Sequence, residues 1–244
     1  MMAGQEDAPR SGRAKERYVE GLFAAIAPKY DLLNSVISFN RHRRWRRFAV
    51  KAAGLAPGDL ALDVAAGTGD FSFELAEAVG GTGSVVAVDF CAPMVEIGRR
   101  KSERRGYGNI SWMLGNATGL PFEADVFDCA VIGFALRNVA SAQRTIAEMA
   151  RVIKPGGRVV SLEINKPTSA LFRPIWAAYF YGLLPGLARA LGGKREAYTY
   201  LPDSVKRFYS RQELSQIMLD SGLEDVRVYD LTMGVVCAHV GRKP

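Results

Sequence analysis

Leu62-Asp63-Val64-Ala65-Ala66-Gly67-Thr68-Gly69-Asp70 is the stretch whose reading decides the fold. An apolar run, LALDV, feeds a turn with two glycines, and a helix-like segment, FSFELAEAV, follows at once. Glycines at a strand-to-helix turn permit tight backbone curvature and close approach of a ligand to the chain, the arrangement of a nucleotide-type loop. A dinucleotide fingerprint needs a third glycine at position 72, where Ser72 stands, and the lysine of a phosphate-binding P-loop is missing. NAD and ATP therefore lose ground. Asp63 lies within the motif, and Asp89 ends the next apolar run, SVVAVDF, where a carboxylate can accept both hydroxyls of a ribose. The structural alternative for Asp63 is a cap bonding nearby loop amides.

Working outward, short Val/Ile/Leu/Ala runs alternate with helical segments: ISWML, DCAVIGF and RVVSLEI as strands, PMVEIGRRKSERR and QRTIAEMARVI as helices. Nearly continuous apolar strands separated by helices predict an α/β fold, a doubly wound parallel sheet covered on both faces. Residues 1–17 read as a mobile tail and 18–54 as helices preceding the sheet, the second of them ended by Gly54. After Ile164 the alternation breaks over 166–209, a long insertion after the fifth strand, before RQELSQIMLDSG and two final strands in VRVYDLTMGVVCAHVGRK. The insertion is either a buried helical hairpin or a lid over an apolar site. Its uninterrupted apolar stretch, Pro174 to Leu187, is shorter than the roughly 20 residues a spanning helix needs.

Composition is that of a soluble globular chain of 244 residues, 48% hydrophobic and 23% charged, expected as one domain over 18–244. The opening residues carry no apolar leader, so a cytoplasmic location is expected. Three scattered cysteines and two histidines, His42 and His239, form no metal-ligand pattern. The net charge of +7 is concentrated locally, with Arg41, Arg43, Arg44, Arg46 and Arg47 within seven residues. Such a cluster fits an anionic partner, nucleic acid or an anionic membrane, or else a solvated helix face.

The Asp63–Asp70 loop with Asp89 resembles that of class I S-adenosylmethionine-dependent methyltransferases. Tyr30-Asp31-Leu32-Leu33-Asn34-Ser35, Ser38 to Arg46 (SFNRHRRWR), Gly115-Asn116-Ala117 with Leu120-Pro121-Phe122, Leu136-Arg137-Asn138-Val139, Lys154-Pro155-Gly156-Gly157, and Glu163 with Lys166-Pro167 narrow the resemblance. They point to the quinone-biosynthesis C-methyltransferases of the menaquinone and ubiquinone pathways. The resemblance covers nearly everything after the tail. It implies a seven-stranded sheet with the last strand antiparallel, S-adenosyl-L-methionine as cofactor, and ring C-methylation of demethylmenaquinol, with the ubiquinone-pathway benzoquinol as a further acceptor. SFNRHRRWR is more like menaquinone-type members, since those serving both quinones tend to a glycine after the Phe. Another lipophilic or small aromatic acceptor is the alternative, because the cofactor half of such chains is shared more widely than the substrate half.

For the cofactor the loop offers Asp63, Gly67 and Gly69, and the resemblance implies Thr68 and Asp89 at the cofactor, with Asn116 and Ala117 around the adenine and Gly133 beside it. Ala135, where the family more often has glycine, departs from the pattern of the loop after the fourth strand. Carbon methylation of a quinol needs an electron-rich ring, which phenol deprotonation supplies. Arg137, His42, Tyr30 and Asp31, with Glu163, are the expected helpers, Arg137 as an electrostatic stabiliser. Arg137, Asn138 and Tyr200 are expected to hold the quinol, with Tyr198 and Ser204 as further residues of the insertion that could face the ring. His42 among arginines would stay unprotonated, unless it is a plain surface residue; His239 reads as packing, and Trp45 as a lipid wedge or a helix anchor. A polyprenyl quinol lives in a bilayer, so the expected partners are that substrate and, peripherally, the membrane surface, with no nucleic acid. A homodimer stays open.

Overall fold

A computed structural model describes residues 12–184, 186 and 195–244. Seven strands form one sheet: β1 (Leu60–Val64), β2 (Ser84–Asp89), β3 (Ile110–Leu114), β4 (Phe127–Gly133), β5 (Ile153–Ile164), β6 (Glu224–Leu231) and β7 (Val236–Arg242), in the order β3-β2-β1-β4-β5-β7-β6. β1 through β5 run parallel, and β7 is antiparallel to both β5 and β6. The strand order reverses between β2 and β4 around β1, so a crevice opens at the carboxyl ends of these strands, where open α/β sheets take ligands.

The apolar runs of β1, β4 and β7 are buried almost throughout because helices cover both faces. On one face, Ala49, Val50 and Ala53 of α3 (Arg41–Ala53) and Phe71, Leu75 and Val79 of α4 (Asp70–Val79) pack on the strands. On the other, Ile146 and Met149 of α6 (Ala142–Val152) meet Leu214, Ile217 and Met218 near the carboxyl end of the chain, within a helix named below. Between these elements, α5 (Ala92–Arg105) joins β2 to β3.

The helices before the sheet depart from expectation. Helix α1 (Gly12–Ile26) begins inside the stretch read as a tail; residues 1–11 of that stretch lie outside the described residues. Beyond a short 3₁₀ turn (Ala27–Lys29) come α2 (Tyr30–Ser38) and α3, so Gly54 ends the third helix, not the second. Phe39 and Asn40 between α2 and α3 are both left-handed, at φ 51° and 59°. Asparagine tolerates that conformation nearly as glycine does, so the residue after Phe39 answers to the turn and carries little information about the acceptor.

Within the insertion, α7 (Arg173–Ala177) runs on into a π-helical turn (Ala178–Leu183), and α8 spans Arg195–Arg207. Trp176, Phe180, Leu184 and Val205 bury themselves together against Ile37 of α2 and Ile164 of β5. The two readings of the insertion thus merge: it has its own packed core, and Trp176 and Phe180 also line a cavity. α9 (Arg211–Asp220) opens with a capping box in which Ser210 and Glu213 bond each other's backbone, and it supplies Leu214, Ile217 and Met218. Among the described residues no helix is long and apolar enough to cross a membrane.

Candidate active site

The crevice at the ends of β1, β2 and β4 is walled by the loop after β1. Gly67 takes φ 58°, which aims its amide at the Oδ2 of Asp89 over 2.8 Å, and the amide of Cys91 reaches Oδ1 at 2.8 Å. Two amides orient the Asp89 carboxylate while each oxygen keeps a lone pair for a ligand. Burial raises the carboxyl's pKa against those bonds. Asp63, 1% exposed, accepts from the hydroxyl of Ser72 at 2.6 Å, and burial pushes its pKa up to about 7. Ser72, standing where a dinucleotide loop has glycine, therefore holds Asp63 in place.

Asp63, Gly67, Thr68, Asp89, Asn116, Ala117 and Gly133 all line this cleft. Gly69 does not. A Cβ on it would lie 2.4 Å from the Trp112 ring at φ 89°, so that glycine serves the close packing of α4 on the sheet. Asn116 is already engaged on both sides: its Oδ1 accepts from the amide and hydroxyl of Thr118 at 2.9 and 2.8 Å, and its Nδ2 donates to Glu16 of α1 at 2.8 Å. Lys15 reaches the carbonyl of Val139 at 2.7 Å, so α1 is tied across the cleft.

A second cavity of about 490 Å³ adjoins the cleft, walled by Leu33 and Ile37 of α2, Trp176 and Phe180 of the insertion, and Val235. Tyr30, His42, Arg46, Arg137 and Tyr200 bring polar groups to it. Arg137 Nη1 donates to Glu163 at 2.8 Å and to the carbonyl of Phe134 at 2.6 Å, while its buried Nε has no partner among the described residues. Glu163 is 1% exposed and also accepts from the Leu136 amide at 2.6 Å. Burial raises its pKa and Arg137 pulls it back, so Glu163 anchors the loop after β4. Asn138 lines the cofactor cleft, not this cavity, and its Oδ1 accepts from the Tyr200 hydroxyl at 3.1 Å, joining insertion to loop.

His42 is buried at 5% exposure, contrary to the surface reading. Arg46 donates to its Nδ1, which leaves the proton on Nε2, 3.4 Å from the hydroxyl of Ser35. Burial first, then Arg46, lowers its pKa to about 4. Neutral as expected, it nonetheless has its basic lone pair occupied. Asp31 lines neither cavity: its two oxygens hold Thr68 Oγ1 at 2.5 Å and Lys101 Nζ at 2.8 Å. Lys101 bridges on to Asp70 at 3.2 Å, and Asp70 to Arg46 at 3.5 Å. Burial alone would raise the Asp70 carboxyl, but Arg46 and Lys101 hold it low. This network fastens α2 and α3 to the cofactor loop.

Other expectations resolve as packing. The Trp45 indole donates to Thr232 at 2.9 Å and leans on Phe134, so it anchors its helix inward and is no lipid wedge. Ser204 bonds the carbonyl of Leu201 within α8, His239 Nε2 meets the carbonyl of Arg211 at 3.0 Å, and the side chain of Tyr198 lies outside the described residues. Arg46 is only 5% exposed, which removes it from the surface charge cluster, while Arg47 stays on the surface, paired with Glu74 at 3.3 Å. Sequence reasoning missed Arg46, Phe134, Glu16, Asp70 and Lys101 as site residues. The four-residue spacing of His42 and Arg46, which puts both on one helix face, was the available signal for Arg46.

The sequence matches the model of the ubiE/COQ5 methyltransferase family over residues 11–243. It is 40% identical over 232 residues to the demethylmenaquinone methyltransferase of Bacillus cytotoxicus, covering 95% of this chain and 98% of that one. It is 38% identical over 230 residues to the ubiquinone/menaquinone biosynthesis C-methyltransferase UbiE of Francisella tularensis subsp. novicida, covering 94% and 92%. Among solved structures, a Thermotoga maritima methyltransferase described as a possible histamine N-methyltransferase superposes with a TM-score of 0.65 at 21% identity, over 93% of this chain and all of that one. The [4+2]-cyclase SpnF superposes at 0.68 and 15% identity over 98% and 99% of the two chains. The last two similarities speak for the fold alone.

Proposed function

The chain belongs to the ubiE/COQ5 methyltransferase family, and from that premise we propose that it methylates a ring carbon of demethylmenaquinol to give menaquinol. It is an S-adenosylmethionine-dependent methyltransferase. The residues of the cleft suit that cofactor. Asp89 offers two oriented carboxylate oxygens to a ribose diol, and the buried Asp63, poised near neutrality with a pKa of about 7, gains stability when ionised beside a cation. When bound, the cofactor supplies a methyl group on a positively charged sulfur.

The observation that carries the acceptor reading is the adjacency of this carboxylate-walled cleft to the 490 Å³ apolar cavity, a size that holds a bicyclic ring and part of a tail. Within the cavity, Arg137 is the residue proposed to face a quinol oxygen, with Tyr200 closing the insertion side. Apolar walls exclude water, which strengthens every charge interaction within them. The family resemblance to the Francisella relative supports the ubiquinone-pathway benzoquinol as a second acceptor.

A polyprenyl tail has to leave the cavity into something apolar. Phe39, Ile175 and Met233 line the cavity while exposing 69%, 64% and 52% of their surface, and Leu171 nearby in the chain is 88% exposed. Arg41, Arg43 and Arg44, also exposed, lie within five residues of Phe39. An apolar rim beside cations suits peripheral docking on an anionic leaflet. Turnover measured side by side on short-chain demethylmenaquinol and the ubiquinone-pathway precursor tests the assignment: conversion of the first is expected, and failure on both would overturn it.

A further inference from the structure

Only four residues line both cavities among those described: Phe23, Tyr30, Arg46 and Phe134. A methyl group passing between donor and ring has to cross where the cavities meet, since transfer demands near contact of the reacting atoms. We infer that Arg46 is the group that holds the ionised quinol oxygen at this junction, a catalytic role distinct from that of Arg137 and resting on the quinol assignment above.

The chemistry calls for such a group. Of the sequence-nominated bases, His42 has its Nδ1 lone pair taken by Arg46, Asp31 is bound to Thr68 and Lys101 and lines neither cavity, and Glu163 is consumed by Arg137 and the Leu136 amide. Burial raises Tyr30. With no free ordinary base among these residues, ionisation of the quinol hydroxyl rests on charge stabilisation, its proton passing to water. The ring pair then forms the carbon–methyl bond as the methyl–sulfur bond breaks and sulfur keeps its pair. The ring C–H proton leaves, the oxygen is reprotonated, and one proton is released net.

Arg46 is held more loosely by its carboxylate than Arg137 is. Arg137 faces Glu163 one to one at 2.8 Å. Arg46 meets Asp70 only at 3.5 Å, while Asp70 lies closer to Lys101, at 3.2 Å, Lys101 itself being held by Asp31 at 2.8 Å, and the adjoining His42 is neutral. The guanidinium carbon sits 5.3 Å from the centre of the Phe134 ring, with Tyr30 on the same wall. The charged and titratable groups that feel Arg46 are His42 on its own helix, Tyr30 of α2, Asp70 and Glu74 of α4, and Asp63 of β1.

The test is the ionisation of 4-nitrophenol, followed by its absorbance as it binds to S-adenosylhomocysteine-loaded protein. The bound phenol is expected to ionise at least about tenfold more readily than the free one, one unit of pKa. Arg46→Met should abolish that gain and cut kcat on demethylmenaquinol, measured at saturating cofactor, by roughly 10²-fold, the scale of losing one fixed oxyanion partner. Arg46→Lys should retain part of the gain, and Asp70→Asn, which frees more of the guanidinium charge, should enlarge it. Should Arg46→Met fail to fold, the last two variants decide. A wild-type phenol gain unchanged in Arg46→Lys and Asp70→Asn would overturn the inference. Loss of the quinol reading alone would appear differently, as a phenol shift that obeys Arg46 in a protein that never turns over demethylmenaquinol.

Discussion

Asp63 and Asp89 share the cleft yet differ in what surrounds them, and the difference can be measured. Asp63 has one hydroxyl partner and a pKa near 7, so a cation bound beside it draws off a proton whenever the carboxyl is protonated beforehand. Affinity for S-adenosylmethionine should therefore rise as pH climbs from about 6 to 8, and calorimetry on Asp63→Asn should show a flat profile. Asp89 has two amide partners, and Asp89→Ala should weaken the cofactor by about 2 to 3 kcal/mol through lost charge-assisted bonds. An unchanged dissociation constant would mean the ribose is held elsewhere. His42 follows the opposite logic to a histidine gaining a partner. Its folded pKa, about 4, lies below the unfolded value of 6.5, so the unfolded chain takes up the proton first and stability falls as pH drops from 6.5 toward 4. Thermal denaturation of His42→Gln should show less of that acid loss.

At the scale of elements, α1 is the part of the molecule the sequence concealed. Its first turns are polar and read as a tail, because nothing in them is apolar enough to announce a buried face, yet Lys15 and Glu16 lace it over the cofactor cleft and Phe23 packs beside Met94 and Cys91. Glu16→Ala should cost the cofactor about 1 kcal/mol of affinity, the worth of one hydrogen-bonded tie, with little change in thermal stability. The arginine cluster of α3 misled for a related reason: composition counts charges without regard to which helix face they occupy. Of five arginines, Arg46 turns inward and Arg47 is paired with Glu74 at the surface, while Arg41, Arg43 and Arg44 are the exposed ones on which the proposed membrane docking would rest. Salt-sensitive co-sedimentation with anionic vesicles should weaken in Arg43→Glu/Arg44→Glu, each arginine contributing up to about 1 kcal/mol. Absence of binding at low salt would leave the quinol another route.

For the whole molecule, the sheet and the cofactor side were legible because each strand carries its own apolar run and each loop its own turn residues, local signals that survive without knowledge of the partner. LALDV, SVVAVDF, ISWML and DCAVIGF all became strands in the expected order, and the glycine turn put its carboxylates into one cleft. The acceptor side was not legible in the same way. Its cavity is assembled from α1, α2, α3, the loop after β4, the insertion and the turn between β6 and β7, segments far apart in the chain, and no local spacing encodes which of their side chains meet. That is why Gly69 looked like a ligand residue and proved to make room for Trp112, while Arg46 looked like surface charge and stands at the junction. Carbon, not oxygen, is the atom expected to take the methyl group in that junction. Incubation of the protein with demethylmenaquinol and S-adenosylmethionine bearing a deuterated methyl group, followed by mass spectrometry and NMR of the product, reads that atom directly. A deuterated methyl on the hydrogen-bearing ring carbon that lies between a hydroxyl-bearing carbon and the prenyl-bearing carbon is the predicted result; label on oxygen, or no label in the quinol at all, would contradict it.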